Sequence, residues 1–117
     1  MFRVIIAGGR DFNDYQRLCK TMDYLLKNKV PEVTIISGGA RGADSLGERY
    51  ANERGFSLII MKADWEKYGK SAGIIRNKEM LSTADEVVCF WNRVSRGTGH
   101  MIKITKEIGK LPRVVYY

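Results

Sequence analysis

Apolar positions along the chain fall into two alternating patterns. Short, predominantly apolar runs at Phe2–Ala7, Val33–Ile36, Leu58–Met61, Val87–Trp91 and Arg113–Tyr116 have the length and β-branched content of strands. Between them, apolar residues recur at helical spacing. Tyr15, Leu18, Cys19, Met22, Leu25 and Leu26 stand at i, i+3, i+4, i+7, i+10 and i+11, one stripe of an amphipathic helix. Asn13 or Asp14 is placed to cap that helix, and Pro31 to close the segment. Ala43, Leu46, Gly47, Tyr50 and Ala51 mark a second helix, stopped by Gly55. A stretch of polar and aromatic residues then leads to a third helix over roughly Ala72–Thr83. A loop containing Ser95, Gly97 and Thr98 precedes a fourth helix around Met101, Ile104, Thr105 and Ile108.

Strands that alternate with helices in this way predict an α/β fold with a mainly parallel sheet covered on both faces. Right-handed crossovers make it a three-layer, Rossmann-like sandwich of five strands, for which the order 3-2-1-4-5 is expected, with its switch point between strands 1 and 4. The 117 residues suffice for one domain, taken here as residues 1–117, without repeats or a linker. That length excludes the two-domain layout of a dinucleotide dehydrogenase.

Composition narrows the partners. Lys and Arg total 20 against 13 Asp and Glu, a formal charge of +7 that points to an anionic partner. Cys19 and Cys89 form no CxxC pair, and with His100 as the single histidine no Cys/His metal cluster can be built, so neither metal nor cofactor is expected. Reduced thiols fit a cytoplasmic protein. No apolar run is long enough to span a membrane, and Val4-Ile5-Ile6-Ala7 is too short for a signal peptide's apolar stretch, so no membrane partner is expected.

The glycines cluster where the expected fold would use them. Gly8-Gly9-Arg10-Asp11 follows strand 1, Ser37-Gly38-Gly39-Ala40-Arg41-Gly42 follows strand 2, and Ser95-Arg96-Gly97-Thr98-Gly99 follows strand 4. In an open parallel sheet these loops share the carboxyl edge, so they converge on one crevice. Glycine lets backbone N–H groups approach an anion, and the helix that follows adds its positive end. Arg10, Arg41 and Arg96, with Arg93 nearby, supply planar donors for phosphate oxygens, and Ser37, Ser95 and Thr98 supply hydroxyls. One such loop reads most simply as a tight turn; three on one edge favour a phosphate-bearing ligand. Two common motifs fail. Gly69-Lys70-Ser71 lacks the first glycine of an NTP-binding loop, since Asp64 stands there, and Ser37-x-Gly39-x-x-Gly42 lacks the first glycine of a dinucleotide fingerprint.

GGRDF at Gly8–Phe12, SGGARGAD at Ser37–Asp44, ADWEKYGKSAGIIRN at Ala63–Asn77 and RGTGHMI at Arg96–Ile102 together resemble the YspA-type, cpYpsA-related branch of the SLOG superfamily, over almost the whole chain. That superfamily is similar in fold to the Lonely Guy phosphoribohydrolases and to DNA-processing protein A, and its members are common in bacteria and phages. The resemblance implies a nucleotide or nucleotide-derived ligand at the carboxyl edge. Lonely Guy enzymes carry an R-K-x-x-M motif with a catalytic arginine; Arg76-Asn77-Lys78-Glu79-Met80 is similar, with Asn for Lys, which adds Arg76 and Asn77 to the ligand-binding set. Their P-G-G-x-G-T-x-x-E motif is matched by Gly97-Thr98, but Met101 occupies the place of its glutamate. Methionine cannot stabilise an oxocarbenium-like centre or activate water.

Other carboxylates near the edge are Asp11, Asp44 and Asp64. Asp44, which closes the SGGARGAD turn, is counted in the ligand-binding set, although its place in the first turn of helix 2 also suits the dipole. Asp11 suits pairing with Arg10 or capping of helix 1. Asp64 beside Trp65 has the least structural explanation, so Arg76 and Asp64 are the catalytic candidates. Trp65, Tyr68 and Trp91 are candidates for stacking on a base, although core packing is the commoner use of such aromatics. His100 fits a helix N-terminal position better than a general base.

The leading expectation is a sensor or sequestering protein for a nucleotide-like small molecule. An N-glycosidic hydrolase with a relocated carboxylate is the alternative reading, and single-stranded nucleic-acid binding a third, which no interleaved aromatic-basic ribbon favours. Self-association as a homodimer or larger homo-oligomer is expected. The charge fits a lined pocket: residues 62–117 hold 11 basic and 6 acidic side chains against 9 and 7 in residues 1–61, and arginines 10, 41, 76, 93 and 96 all belong to crevice segments. With no second domain, any lid must come from Trp65–Ser71 or a neighbouring subunit.

Overall fold

Val4 and Ile6 point to one face of the first strand and Ile5 to the other, and all three are fully buried. The same two-sided burial recurs in the next two central strands, which is what a parallel sheet covered by helices on both faces requires. The computed structural model describes residues 1–29 and 32–117; Pro31, expected to close the first helical segment, lies outside the described residues. Five parallel strands, β1 Phe2–Gly8, β2 Val33–Ser37, β3 Ser57–Ile60, β4 Glu86–Trp91 and β5 Arg113–Tyr116, form one sheet in the order β3-β2-β1-β4-β5. The predicted order and the switch point between β1 and β4 are therefore present.

Helices α1 (Tyr15–Leu26) and α2 (Ala43–Arg54) cover one face. Leu18, Met22 and Leu26 of α1 and Tyr50 and Ala51 of α2 pack there on Val4, Ile6, Ile35, Val88 and Phe90. Helices α4 (Ala72–Thr83) and α5 (Arg96–Glu107) cover the other, where Met80, Met101 and Ile102 meet Ile5, Ile36, Val87 and Cys89. Asp14 is the cap of α1, accepting from the Arg17 N–H at 3.1 Å, and Gly55 ends α2 in a left-handed conformation, φ 71°. None of the helices among the described residues is long and apolar enough to cross a membrane.

Three features differ from the sequence reading. Only the central strands are buried on both faces; Ile59 and Ile60 of β3 stay exposed because an edge strand lacks a full helical cover. The segment after β3 is not irregular. It holds a one-turn helix, α3 (Trp65–Tyr68), continued by a 3₁₀ turn at Gly69–Ser71. Finally, the Ser95–Gly99 loop is the first turn of α5, which begins at Arg96 despite its two glycines. Tertiary packing overrides propensity there: a Cβ at Gly99 would lie 3.2 Å from the Trp91 ring, so glycine lets the helix start against β4.

Phe90 stacks on Phe12 with ring centroids 4.6 Å apart, and Tyr117 lies 4.9 Å from Phe12 on its other contact. Phe90→Ala is expected to cost about 3–5 kcal/mol, seen as a lower urea midpoint at unchanged slope.

Candidate functional site

At the carboxyl edge, the turns after β1, β2 and β4 enclose with α4 a cavity of about 460 Å³, within the ordinary range for small-molecule sites. The sheet supplies the floor. A Cβ on Gly8 would stand 2.5 Å from the Phe90 carbonyl oxygen and 2.6 Å from the Ala43 Cβ, so only glycine lets β1 pass into its turn between β4 and α2. Gly38 is as constrained: a Cβ there would lie 2.5 Å from Arg76 Nη1 and 2.9 Å from Asp44 Oδ2.

Arg76 is the organising side chain. Its Nη1 donates to the Gly38 carbonyl at 2.6 Å and its Nε to Asn77 Oδ1 at 3.1 Å. The Asn77 amide then donates from Nδ2 to the Gly97 carbonyl at 3.2 Å, and its second N–H lies 3.2 Å from His100 Nδ1. Because both Nδ2 hydrogens are needed as donors, His100 Nδ1 accepts, which leaves the ring neutral with its proton on Nε2. Burial, with Lys78 and Lys103 nearby, pushes the His100 pKa below its ordinary value, in keeping with that assignment.

The helix ends carry positive polarity into the same space. Neither Ser95, the N-cap of α5, nor Gly42, the N-cap of α2, contributes a side-chain capping bond. The Ser95 hydroxyl instead meets the Thr98 hydroxyl at 3.1 Å, and Ser95 through Thr98 all line the cavity. First-turn N–H groups of α5 thus remain as anion donors. Arg10, Lys70 and Arg96 add charge around the rim.

Asp44 is the acidic residue in this basic cleft. It is 6% exposed, and its Oδ2 accepts from the Ala40 N–H at 3.1 Å. Burial raises its pKa from 3.8 to about 6, opposed in part by the Ala40 hydrogen bond and by Arg76.

The sequence-derived residues separate by place. Gly8, Arg10, Gly38 and Asp44 from the first two turns, Arg76 and Asn77 from α4, and Ser95, Arg96, Gly97 and Thr98 from the start of α5 line the cavity together. Gly39 and Arg41 line an adjoining cleft of about 390 Å³ that shares Arg10, Gly38, Trp65 and Arg76 with it. Three have packing roles instead. Ser37 is fully buried, its hydroxyl donated to Glu48 Oε2 at 2.7 Å and accepting from the Gly39 N–H. Gly9 gives its N–H to the Phe90 carbonyl, and its own carbonyl accepts from Phe12 and Ala43. Gly42, φ 78°, lies where a Cβ would enter the Gly9–Arg10 backbone.

Two of the three carboxylates sit apart from the places expected of them. Asp64, the catalytic candidate, caps α3 by accepting from the Lys67 N–H at 3.1 Å and lines a different cleft. Asp11 neither pairs with Arg10 nor caps α1; the Tyr117 hydroxyl donates to its Oδ1 at 2.5 Å, which holds its pKa below the usual carboxylate range. Asp44, counted in the ligand-binding set and also suited to the helix dipole, is the carboxylate that lines the cavity. Among the aromatics, Trp65 forms a wall beside Gly73, Tyr68 lies away from the cavity, and Trp91 donates from Nε1 to the Ser95 carbonyl at 3.0 Å.

A family model described as YspA, cpYpsA-related SLOG family matches residues 2–68, more than half the chain. The chain belongs to this SLOG family. Gene 61 protein of Mycobacterium phage D29 is similar at 34% identity over 115 residues, 93% of this chain and 92% of the phage protein. No solved structure matches the chain. The family model covers the first two glycine turns of the SLOG crevice, whereas Arg76, Asn77 and the start of α5 lie beyond it.

Sequence reasoning missed Lys70, Gly73 and Met80 as lining residues of the SLOG cavity. A signal was available for two of them, since Gly73, Arg76 or Asn77, and Met80 recur at i, i+3, i+4 and i+7 on one face of α4.

Two measurements check these electrostatics. Asn77→Asp replaces a donor to His100 Nδ1 by an acceptor, so the His100 pKa should rise above its wild-type value in an NMR titration. For Asp44, the raised folded-state pKa means that the native state binds more protons between about pH 4 and pH 6, so this group's contribution to stability falls as pH rises through that window. Asp44→Asn lacks the penalty. Between pH 4 and pH 7.5 the stability difference should move toward the variant by roughly 3 kcal/mol in paired urea titrations.

Proposed function

We propose that the protein binds a nucleotide or nucleotide-derived phosphorylated ligand in the crevice between α4 and the start of α5, as a sensor or sequestering protein. The observation that carries this reading is the convergence of the uncapped α5 N-terminus with Arg10, Arg76 and Arg96 around one cavity of about 460 Å³. Phosphate satisfies those donors. Arg76 keeps Nη2 available after its bonds to Gly38 and Asn77, and the first-turn N–H groups of α5 give directional donors that a bulk cationic patch lacks. Trp65, 55% exposed beside Gly73, offers an aromatic face at the mouth for a base. Family membership supports the same reading at the level of nucleotide-related ligands.

A second reading, hydrolysis of an N-glycosidic bond, is favoured by one observation. Met101 occupies the position of the absent glutamate, yet Asp44 brings a carboxyl group with a pKa near 6 to the same cavity.

Titration calorimetry and thermal shift against nucleoside monophosphates, ADP-ribose and cyclic nucleotides test binding. At least one should raise the melting temperature, and Arg76→Ala should weaken that ligand tenfold or more, about 1.4 kcal/mol. No stabilisation across the panel would remove the reading. Chromatography of AMP incubated with the protein tests turnover: released adenine that disappears in Asp44→Asn supports hydrolysis, and unchanged AMP excludes it.

A further inference from the structure

A buried carboxyl group is a poor companion for a phosphate, and its place in a cationic crevice calls for a partner of a different kind. Asp44 is 94% buried by its 6% exposure, and Oδ2 is taken by the Ala40 N–H. Oδ1 has no protein hydrogen-bond partner among the described residues, while Asp44 lines the cavity. Arg76, the nearest guanidinium across Gly38, spends Nη1 on the Gly38 carbonyl and Nε on Asn77, and makes no ion pair with Asp44. A Cβ on Gly38 would touch both Arg76 Nη1 and Asp44 Oδ2, so the arginine and the carboxyl flank a single α-carbon on the crevice floor.

A bound phosphate oxygen cannot satisfy Oδ1 of the ionised carboxylate, because acceptor would face acceptor and like charges would meet. The position requires a donor on the ligand, close to the group that Arg76 holds. In a nucleotide the hydroxyls of the sugar stand within a few bonds of the phosphate, whereas the amines of the base lie farther off. We infer that Asp44 selects a sugar hydroxyl, so that the crevice takes ribose-bearing phosphates in preference to their deoxy counterparts. The inference rests on the nucleotide-binding reading and assigns the ligand class within it. Selection of this kind is sharp when the ligand displaces water from Oδ1, since a ligand lacking the hydroxyl then leaves that acceptor unpaired.

Calorimetry on the full chain with AMP, 2′-deoxy-AMP, 3′-deoxy-AMP and IMP decides it. AMP should bind at least about tenfold more tightly than one of the two deoxy nucleotides, and IMP should bind as AMP does. In Asp44→Ala, with folding checked by circular dichroism, the discrimination should shrink to about threefold or less. The wild-type comparison stands whether or not that variant folds. AMP and both deoxy forms binding within about twofold would overturn the inference and leave nucleotide binding intact. So would discrimination that survives in Asp44→Ala, or a loss of affinity confined to IMP, which would assign the carboxyl to the base. Failure of every probe to bind would overturn nucleotide binding and this inference with it.

Discussion

Arg76 Nη1 meets the Gly38 carbonyl at 2.6 Å, and the crevice is built outward from that bond. It ties α4 to the turn after β2, and through Asn77 it continues to the Gly97 carbonyl and His100 on α5. Three elements from distant parts of the chain are thereby set in one register around the switch point of the sheet. Two features make the bond possible. Gly38 has no Cβ to displace the guanidinium, and Asn77 orients the arginine by accepting from its Nε. A hydrogen bond to a charged donor is stronger than a neutral one, which suits a group that must hold its place in a polar, water-accessible cleft.

The electrostatics follow from this frame. Cationic side chains and the open first turn of α5 favour an anion, while Asp44, held by Ala40 and pressed by burial toward protonation, adds a contrary element. Such a mixed site discriminates more finely than a uniformly basic one, because each ligand atom must match a donor or an acceptor. Asn77 in the place of a second cation belongs to the same design. It trades a charge for a fixed amide that donates to His100 Nδ1, while burial with Lys78 and Lys103 lowers the His100 pKa.

Much of the fold could be read from the residues. The stripe on α1, the apolar central strands and the glycines that end β1 and β2 are local signals that identify the elements, and the strand order followed from the fold class they imply. Gly8, Gly38, Arg76 and Gly97 were likewise legible as crevice residues from the turn motifs and the family resemblance. Other residues lie outside the cavity because one residue type serves two purposes. Ser37 has the chemistry of a phosphate ligand, but the path of α2 brings Glu48 within 2.7 Å of its hydroxyl. Asp64 looked unexplained because the short helix it caps leaves too brief an apolar pattern to be seen.

Hydrophobic periodicity and glycine placement by themselves determined the α/β alternation, the parallel sheet and the edge at which its loops gather, since these depend on interactions within a few residues and on the handedness of crossovers. Tertiary structure alone decided which hydrogen-bond partner each carboxylate takes. Asp11, Asp44 and Asp64 are alike in sequence, but their partners are Tyr117, Ala40 and Lys67 respectively, and only folding brings Tyr117 across 106 positions to Asp11. A side chain's chemistry is set by the donors left to it after packing, and that remainder exists only once the chain is assembled.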